Sequence, residues 1–110
     1  MRIILAANDT TFIYNLRREI LKGLIAEGHE VSVMCQVLQF KDELEQLGCD
    51  IVNIETARQG KNPFKDVLLF QRYYQTLKKY KPDVMLGNNI KPNVYAGLAC
   101  QMLKIKYIPN

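Results

Sequence analysis

The sequence predicts an α/β fold: a Rossmann-like, doubly wound parallel sheet of five strands with helices on both faces. Short apolar runs rich in β-branched residues alternate with longer helical patterns along the whole chain. Strict β–α alternation is typical of a parallel sheet that helices cover on its faces. At four junctions a helix ends in a brief turn before an apolar run begins, and right-handed crossovers then favour a doubly wound arrangement.

The strands are predicted near residues 2–7, 30–35, 50–54, 83–86 and 106–109, and the helices near 12–27, 38–47, 63–80 and 91–103. Gly28 and Gly48 stand where a helix C-cap requires a positive φ, and Pro82 follows a helix end. These punctuation residues separate each helix from the strand after it.

Each long helix carries its own signals. Thr11 is expected to cap the first helix, and Pro63 opens the third, where a missing N–H has no cost. The fourth helix is expected to begin at Pro92. In the first helix one apolar stripe is predicted at Ile13, Leu16, Ile20 and Leu24. In the fourth, a small-residue patch that allows close packing on the sheet is predicted at Ala96, Gly97 and Ala99.

The bulk composition points to one soluble domain, predicted over residues 1–110. No apolar run approaches the roughly 18 residues that span a bilayer, and "MRIILAANDT" becomes polar too quickly for a signal peptide, so we expect a cytoplasmic chain. Three widely spaced cysteines and a single histidine predict neither a metal site nor a disulfide framework. Cys35, Cys49 and Cys100 are therefore expected to be buried free thiols.

The charge is distributed unevenly along the chain. Residues 1–54 hold five Lys and Arg against eight Asp and Glu, a net −3, whereas residues 55–110 hold ten against three, a net +7. A basic half favours a phosphate-bearing or anionic-membrane partner, although a solvated face gives the same count. Nothing matches a nucleic-acid-reading module, so no nucleic-acid partner is predicted.

Ligands of doubly wound sheets bind outside the carboxyl ends of the strands. The first such corner carries Asn8, Asp9, Thr10 and Thr11, whose amide and hydroxyl groups suit a saccharide. The alternative is that the same residues only form a turn and a helix cap. A dinucleotide or P-loop site is excluded because neither G-x-G-x-x-G nor a Walker A motif is present.

The corner after the fourth strand, "GNNIKPN", offers Asn88, Asn89 and Lys91, and Gly87 allows a close approach. In the strand order 3-2-1-4-5 this corner neighbours the first one at the topological switch point. The two corners together are the predicted substrate-binding site. Asp9 is their one carboxylate placed to act as a base. Without a histidine, a paired carboxylate or a reactive cysteine there, no catalytic set is predicted.

The third helix, "NPFKDVLLFQRYYQTLKKYK", has the most unusual composition. Lys65, Arg72 and Lys79 recur every seven residues and form one basic edge, and Lys61 precedes it in the loop "ETARQGKNPFKD". Aromatic residues interleave with them at Phe70, Tyr73, Tyr74 and Tyr80. Basic–aromatic helices rest on anionic headgroups, so the four cations are predicted to face a membrane or a phosphate. The alternative is a core-facing apolar stripe with a solvated edge.

Three segments carry a family resemblance: "FIYNLRREILKGLIAEGHEV", "RQGKNPFKD" and "KPDVMLGNNIKPNVYAGLA". The chain resembles, over nearly its whole length, the N-terminal domain of the GT4-type, GT-B-fold glycosyltransferases of capsular and exopolysaccharide biosynthesis. The resemblance implies an acceptor-binding domain, with the nucleotide-sugar donor held on a separate C-terminal domain and no other cofactor. Such a division of labour explains why the first corner lacks a pyrophosphate cradle.

The resemblance implies transfer of a hexose from a nucleotide-sugar to a membrane-linked saccharide, at the inner face of the cell membrane. Many relatives carry Gly-Gly in the first corner and a histidine after the fourth strand, where this chain has Ala7–Asn8 and Asn88–Asn89. The resemblance also implies that residues 1–110 are an incomplete N-terminal, acceptor-side domain. No donor domain follows within the 110 residues, so the segment alone is expected to be inactive. The alternative is a non-catalytic, membrane-recruiting subunit of a split glycosyltransferase. A stand-alone nucleotide- or flavin-binding module is disfavoured because no corner has a phosphate-cradling glycine pattern.

Overall fold

A computed structural model describes residues 1–54, 63–89 and 92–109, with the side chains of 63–66 outside that description. Five strands are present, β1 Arg2–Asp9, β2 Glu30–Gln36, β3 Asp50–Asn53, β4 Val84–Gly87 and β5 Lys106–Pro109. All five predicted strands are confirmed, and β1 continues two residues further than its apolar run.

The strands form one sheet in the order β3–β2–β1–β4–β5, and every neighbouring pair is parallel. This is the predicted doubly wound order. β1 lies at the centre, where Ile3 pairs with Val31 of β2 and with Val84 of β4. The strand order reverses at β1, so the switch point lies between the carboxyl ends of β1 and β4.

Helices cover both faces of the sheet, as predicted. They are α1 Thr10–Leu16, α2 Arg18–Ala26, α3 Lys41–Gln46, α4 Pro63–Tyr80 and α5 Gly97–Leu103, and a π-helical turn at Pro92–Ala96 leads into α5. Alternate residues of β1 enter two cores: Leu5 packs with Leu21 of α2, whereas Ile4 packs with Tyr73 of α4. Burial on both faces explains why β1 is apolar at consecutive positions rather than at every second one.

The predicted turn signals are confirmed. Gly28 and Gly48 adopt φ values of +89° and +108° after α2 and α3, a region that an L side chain rarely enters. Pro63 is the first residue of α4 and Pro82 follows its end. The ends of α2, α3 and α4 therefore follow from the sequence itself.

The first helix is not continuous, and its predicted apolar stripe is only partly confirmed: Ile13 is buried and Leu24 packs against the core, but Leu16 and Ile20 do not. The helix bends at Arg17 (φ −128°, ψ 8°), which separates α1 from α2. Leu16 and Ile20 are 60% and 45% exposed, whereas the residues that enter the core are Ile13 and Leu21. The stripe facing the sheet thus runs Ile13–Arg17–Leu21, at a spacing of four, and places an arginine over the sheet.

The small-residue patch in the fourth helix is confirmed. Ala96 and Ala99 are fully buried, and a Cβ added to Gly97 would meet the ring of Tyr107 at 2.9 Å. The patch lets the π turn and α5 lie against β5 and the centre of the sheet.

Cys35, Cys49 and Cys100 are buried free thiols, as predicted. Burial raises the pKa of Cys35 to about 12 and the pKa values of Cys49 and Cys100 to about 11. Their thiolates are therefore scarce at neutral pH. Among the helices that the structure describes, none combines the length and the apolar character that a transmembrane passage requires.

Candidate functional site

In the first corner, the strand passes into the helix without the loop that the sequence suggested. Asn8 and Asp9 belong to β1, whose register with β2 shifts between Ala6 and Asp9, and Thr10 already begins α1. The cap of α1 is Asp9, whose Oδ1 accepts the N–H of Phe12 at 2.7 Å. The expectation that Thr11 caps this helix is therefore wrong, and the one carboxylate of the site is engaged in a helix cap.

Thr10 and Thr11 face the loop after β2 instead. Thr10 is fully buried, and its Oγ1 accepts the N–H of Leu38 at 2.9 Å. The Oγ1 of Thr11 accepts the N–H of Gln39 at 3.2 Å. Two hydroxyls of the first corner thus fix the backbone of the loop after β2. Thr11 is partly exposed, and its O–H can still donate at the surface.

The fourth-strand corner is joined to the first by three hydrogen bonds. The backbone N–H of Asn88 donates to Ala6 O at 2.8 Å, and its side-chain Nδ2 lies 3.4 Å from the same oxygen. The N–H of Asn8 donates to the Oδ1 of Asn89 at 3.0 Å. Asn89 adopts a left-handed conformation (φ +71°), which asparagine tolerates better than most residues. The predicted adjacency of the two corners is confirmed.

We call the two connected corners, residues 8–11 and 87–89, the joined corner. Solvent exposure differs among its residues. Asn88 is 2% exposed and lies beneath the surface, whereas Asn8 is exposed and Asn89 partly so. Within the described part of the chain, the Asn8 side chain makes no hydrogen bond. Of the three asparagines of this corner, Asn8 therefore has the side-chain amide most available to a ligand.

Arg17 is a residue of the corner that the sequence analysis missed. Its Nε donates to the Oδ1 of Asn88 at 2.9 Å, and its guanidinium carbon lies 5.4 Å from the ring centre of Phe12. Arg17 stands four residues after Ile13 and four before Leu21, the two buried residues of this helical region. That spacing was the available signal, because it places a cation on the sheet-facing stripe.

Gly87 has a different role from the one predicted. A Cβ added there would lie 2.0 Å from the Oδ1 of Asn93 and 2.8 Å from the ring of Tyr107. The close approach that glycine permits is thus made by the protein's own π-helical turn. The Tyr107 hydroxyl donates in turn to the carbonyl oxygen of Asn93 at 3.0 Å.

Two grooves of the described residues need to be distinguished. One of about 390 Å³ lies at the amino ends of the strands, where the ion pair of Arg2 and Glu30 lines it. It is on the edge opposite to the corners. The other, of about 240 Å³, adjoins the joined corner, and Arg17 and Asn88 line it with Ile108.

The predicted membrane- or phosphate-facing cations are only partly within the described structure. Lys61 lies outside the described residues, as does Lys91 of the predicted substrate-binding set, and Lys65 is in α4 with its side chain undescribed. Arg72 and Lys79 are exposed. At about 100° per residue they lie about 20° apart on α4, on a shared flank.

The predicted interleaving of basic and aromatic side chains on α4 is present only in part. Tyr73 is fully buried, and Phe70 lies about 160° around the helix from Arg72. Among the described contacts of these aromatics, only Tyr80 meets a cation, Lys79, whose Nζ is 5.7 Å from the ring centre. Phe70 and Tyr73 therefore lie away from the basic edge, whereas Tyr80 adjoins it at Lys79.

The joined corner offers amides, hydroxyls and one guanidinium, without an acid–base pair among its described residues. Groups of this kind orient a polyol or an anion by hydrogen bonds rather than break a bond. In the described ranges no three His, Cys, Asp or Glu side chains come together as metal ligands.

The sheet is that of a Rossmann-like domain, and similarity to known proteins identifies the family. The family model for glycosyl transferase 4-like proteins matches residues 2–109, and the chain belongs to this family. A relative from Campylobacter jejuni, N,N'-diacetylbacillosaminyl-diphospho-undecaprenol alpha-1,3-N-acetylgalactosaminyltransferase, is 29% identical over 107 residues, which cover 97% of this chain. The chain spans 28% of that protein's length.

Solved structures show the same fold at low sequence identity. MurG from Acinetobacter baumannii aligns over 99% of this chain and 33% of its own, with 20% identity and a TM-score of 0.75. A glycosyltransferase from Rickettsia africae aligns over 98% of this chain and 28% of its own, with 19% identity and a TM-score of 0.79. The five-stranded doubly wound sheet is thus shared with GT-B glycosyltransferases.

Proposed function

We propose that this chain is the acceptor-binding part of a glycosyltransferase that moves a sugar from a nucleotide-sugar to a membrane-linked saccharide in surface polysaccharide biosynthesis. The observation that carries the proposal is the joined corner at the switch point. There the side-chain amide of Asn8 is exposed. The backbone beneath it is held by two hydrogen bonds, from the N–H of Asn8 to Asn89 and from the N–H of Asn88 to Ala6. A preorganised polar edge of this kind binds a polyol with a smaller loss of conformational entropy, because its own groups are already ordered.

The proposal assigns the corner residues two kinds of role. Asn8, Thr11, Asn89 and Lys91 contact the saccharide. Asp9, Thr10 and Asn88 hold the corner in shape, since each has a partner within the protein. The relative from C. jejuni carries a diphospho-undecaprenol substrate in its name, which supports a lipid-linked acceptor here.

The donor belongs to a separate domain in this proposal. The corner lacks the glycine pattern that cradles a pyrophosphate, and its carboxylate caps a helix. The chain by itself therefore binds an acceptor and transfers nothing. The protein works in the cytoplasm at the inner membrane face, where Lys61, Lys65, Arg72 and Lys79 are proposed to face lipid or phosphate.

The test is calorimetric titration of a short acceptor saccharide into the 110-residue chain. Asn8→Ala is expected to weaken binding about tenfold, because it removes an amide from the ligand-facing edge. The matched control is Asn15→Ala, which removes another exposed asparagine, from α1, and is expected to leave affinity unchanged. No binding, or equal losses in both variants, would contradict the proposal. Turnover of a labelled nucleotide-sugar by the purified chain would contradict its non-catalytic part.

A second candidate is the membrane-recruiting subunit of a split glycosyltransferase. It is favoured by the edge strand β5, where Ile108 is 45% exposed beside partly buried Leu86. An edge strand with exposed apolar residues is a ready site for a second polypeptide. The discriminating experiment is co-expression with a separate donor-domain chain. Activity that requires both chains and is abolished by Ile108→Asp supports this candidate, whereas two chains that purify apart contradict it.

A further inference from the structure

The ring of Tyr107 occupies a slot that two glycines keep open. Tyr107 belongs to β5, where it pairs in register with Met85 of β4. A Cβ added to Gly87 would lie 2.8 Å from the Cε2 of this ring, and a Cβ added to Gly97 would lie 2.9 Å from the Cε1 on its other edge. Neither glycine has a positive φ, so close packing rather than backbone conformation requires them. The two glycines therefore fix where the Tyr107 hydroxyl lies.

The slot places this hydroxyl against the π turn. The O–H of Tyr107 donates to the carbonyl oxygen of Asn93 at 3.0 Å, and its oxygen is also within hydrogen-bond distance of the Oδ1 of Asn93. Asn93 is the second residue of the π turn Pro92–Ala96 and is partly buried. Single π turns are frequent at functional sites, where they re-aim the backbone. One phenolic group thus holds both the main chain and the side chain of Asn93.

Two further hydrogen bonds connect Asn93 to the exposed asparagine of the joined corner. The N–H of Asn93 donates to the carbonyl oxygen of Asn89 at 3.2 Å. The Oδ1 of Asn89, a residue with φ +71°, accepts the N–H of Asn8 at 3.0 Å. We call the bonds that join Tyr107 to Asn93, Asn93 to Asn89 and Asn89 to Asn8 the Tyr107 network. It runs from β5 at the edge of the sheet to β1 at its centre.

We propose that Tyr107 is a positioning residue for the saccharide acceptor. Its hydroxyl acts through Asn93 and Asn89 on the backbone that carries the Asn8 side chain. A corner that is already held in shape loses less conformational entropy when it binds a ligand. The inference rests on the proposed function and deepens it. The network consists of atoms within this domain, so it does not require any surface of the domain to be uncovered.

The first experiment separates the hydroxyl of Tyr107 from its ring. Tyr107→Phe keeps the ring in its slot and removes the donor to Asn93. Calorimetric titration with a short acceptor saccharide is expected to show an affinity about fivefold lower, because binding must then order the corner. The matched control is Tyr74→Phe, which removes the hydroxyl of another partly buried tyrosine, on α4 and outside the network, and is expected to leave affinity unchanged.

A second experiment tests the network without any ligand. Amide hydrogen exchange is compared at Asn8, inside the network, and at Ile54, whose N–H donates to the carbonyl oxygen of Cys35 at 2.9 Å. In Tyr107→Phe the ratio of the Asn8 rate to the Ile54 rate is expected to rise about fivefold. A tyrosine that only stabilised the fold would change both rates alike and leave the ratio constant.

Asn93→Ala is the second variant, and it leaves the Tyr107 ring and hydroxyl unaltered. It removes the Oδ1 acceptor but keeps the carbonyl oxygen that also accepts from Tyr107. The exchange ratio is therefore expected to rise in the same direction, by less than in Tyr107→Phe. This variant decides the question if Tyr107→Phe fails to fold, because a constant ratio in Asn93→Ala would contradict the network.

Three outcomes would overturn the inference. They are a constant exchange ratio in Tyr107→Phe, equal losses of saccharide affinity in Tyr107→Phe and Tyr74→Phe, and a raised ratio with unchanged affinity. An unaltered chain that binds no saccharide would contradict the proposed function instead. The exchange ratio, which is measured without saccharide, would still decide whether Tyr107 holds Asn8 in place.

Discussion

The Nε of Arg17 donates to the Oδ1 of Asn88 at 2.9 Å, and this bond links the bend between α1 and α2 to the end of β4. Asn88 is buried and also bonds to the carbonyl oxygen of Ala6 in β1. One arginine thereby connects a helix to the two strands that meet at the switch point. The shape of the proposed acceptor edge depends on this connection.

Arg17→Gln is expected to lower the free energy of unfolding by about 1–3 kcal/mol, because the buried Oδ1 of Asn88 loses a charged donor. The control is Arg18→Gln. Arg18 stacks on Tyr14 with its guanidinium carbon 4.5 Å from the ring centre, a surface contact worth about 0.5–1 kcal/mol. Urea unfolding measures both variants. Equal effects would show that the Arg17–Asn88 bond contributes nothing particular.

Gly87→Ala is expected to destabilise the domain by about 1–3 kcal/mol, since its Cβ would lie 2.0 Å from the Oδ1 of Asn93. Gly23→Ala is the opposite case: it lies in α2 with nothing within 4 Å of the added Cβ. There alanine is expected to stabilise by about 0.5–1 kcal/mol, because it favours the helix more than glycine does. Thermal unfolding of the two variants should move in opposite directions, and a shift of the same sign in both would refute the prediction.

Thr10→Val keeps the shape of a fully buried side chain and removes the acceptor of the Leu38 N–H. The unpaired amide is expected to cost about 1–2 kcal/mol of stability. Thr11→Val is the control, because water can replace its hydroxyl at Gln39 in a partly exposed place. Denaturant unfolding and faster hydrogen exchange at Leu38 are the measurements, and unchanged exchange there would contradict the bond.

The buried thiols predict a loss of stability in alkaline solution. Burial raises the pKa of Cys35 to about 12, so the folded chain keeps a proton that the unfolded chain releases above the ordinary thiol pKa of about 8.5. The stabilising effect is complete below pH 8.5 and is lost as the pH rises towards 12. For one thiol the slope reaches about −1.4 kcal/mol per pH unit within this window.

Cys35→Ala isolates this effect. The variant is expected to be less stable at neutral pH because of its cavity, but its stability is expected to fall less steeply between about pH 9 and 11. Urea unfolding across that range, compared with the unaltered chain, measures the difference in slope. If the two chains lose stability with the same slope, the pKa of Cys35 does not differ between the folded and unfolded states, and the prediction is contradicted.

The sheet was predictable from sequence because alternation, glycine C-caps and apolar runs fix the order of elements before any packing is considered. The start of α1 was not, because Asp9 and Thr11 both stand in one polar run and both are good capping residues. Which of the two residues caps α1 depends on how far β1 extends. The register shift of β1 between Ala6 and Asp9 leaves no signature in the local sequence. Pairing with β2 therefore decided a cap that local rules could not.

The position of the site was predictable from the sequence, whereas the roles of its individual residues were less so. Polar residues at the carboxyl ends of β1 and β4 were identified because the doubly wound topology brings those ends together. Asn88 is buried beneath the edge, where Arg17 of the bent helix donates to it, while Asn8 remains exposed. A continuous helix drawn through Leu16 and Ile20 concealed that contact.

The most direct test of the acceptor-domain account is an NMR titration of the 110-residue chain, with UDP-sugars and with a short acceptor saccharide in turn. The account predicts chemical-shift changes at Asn8–Thr11 and at Asn88–Lys91 with the saccharide, and none with UDP-sugars. Strong shifts at these residues with UDP-sugars alone would contradict it, because the nucleotide would then be bound by this domain.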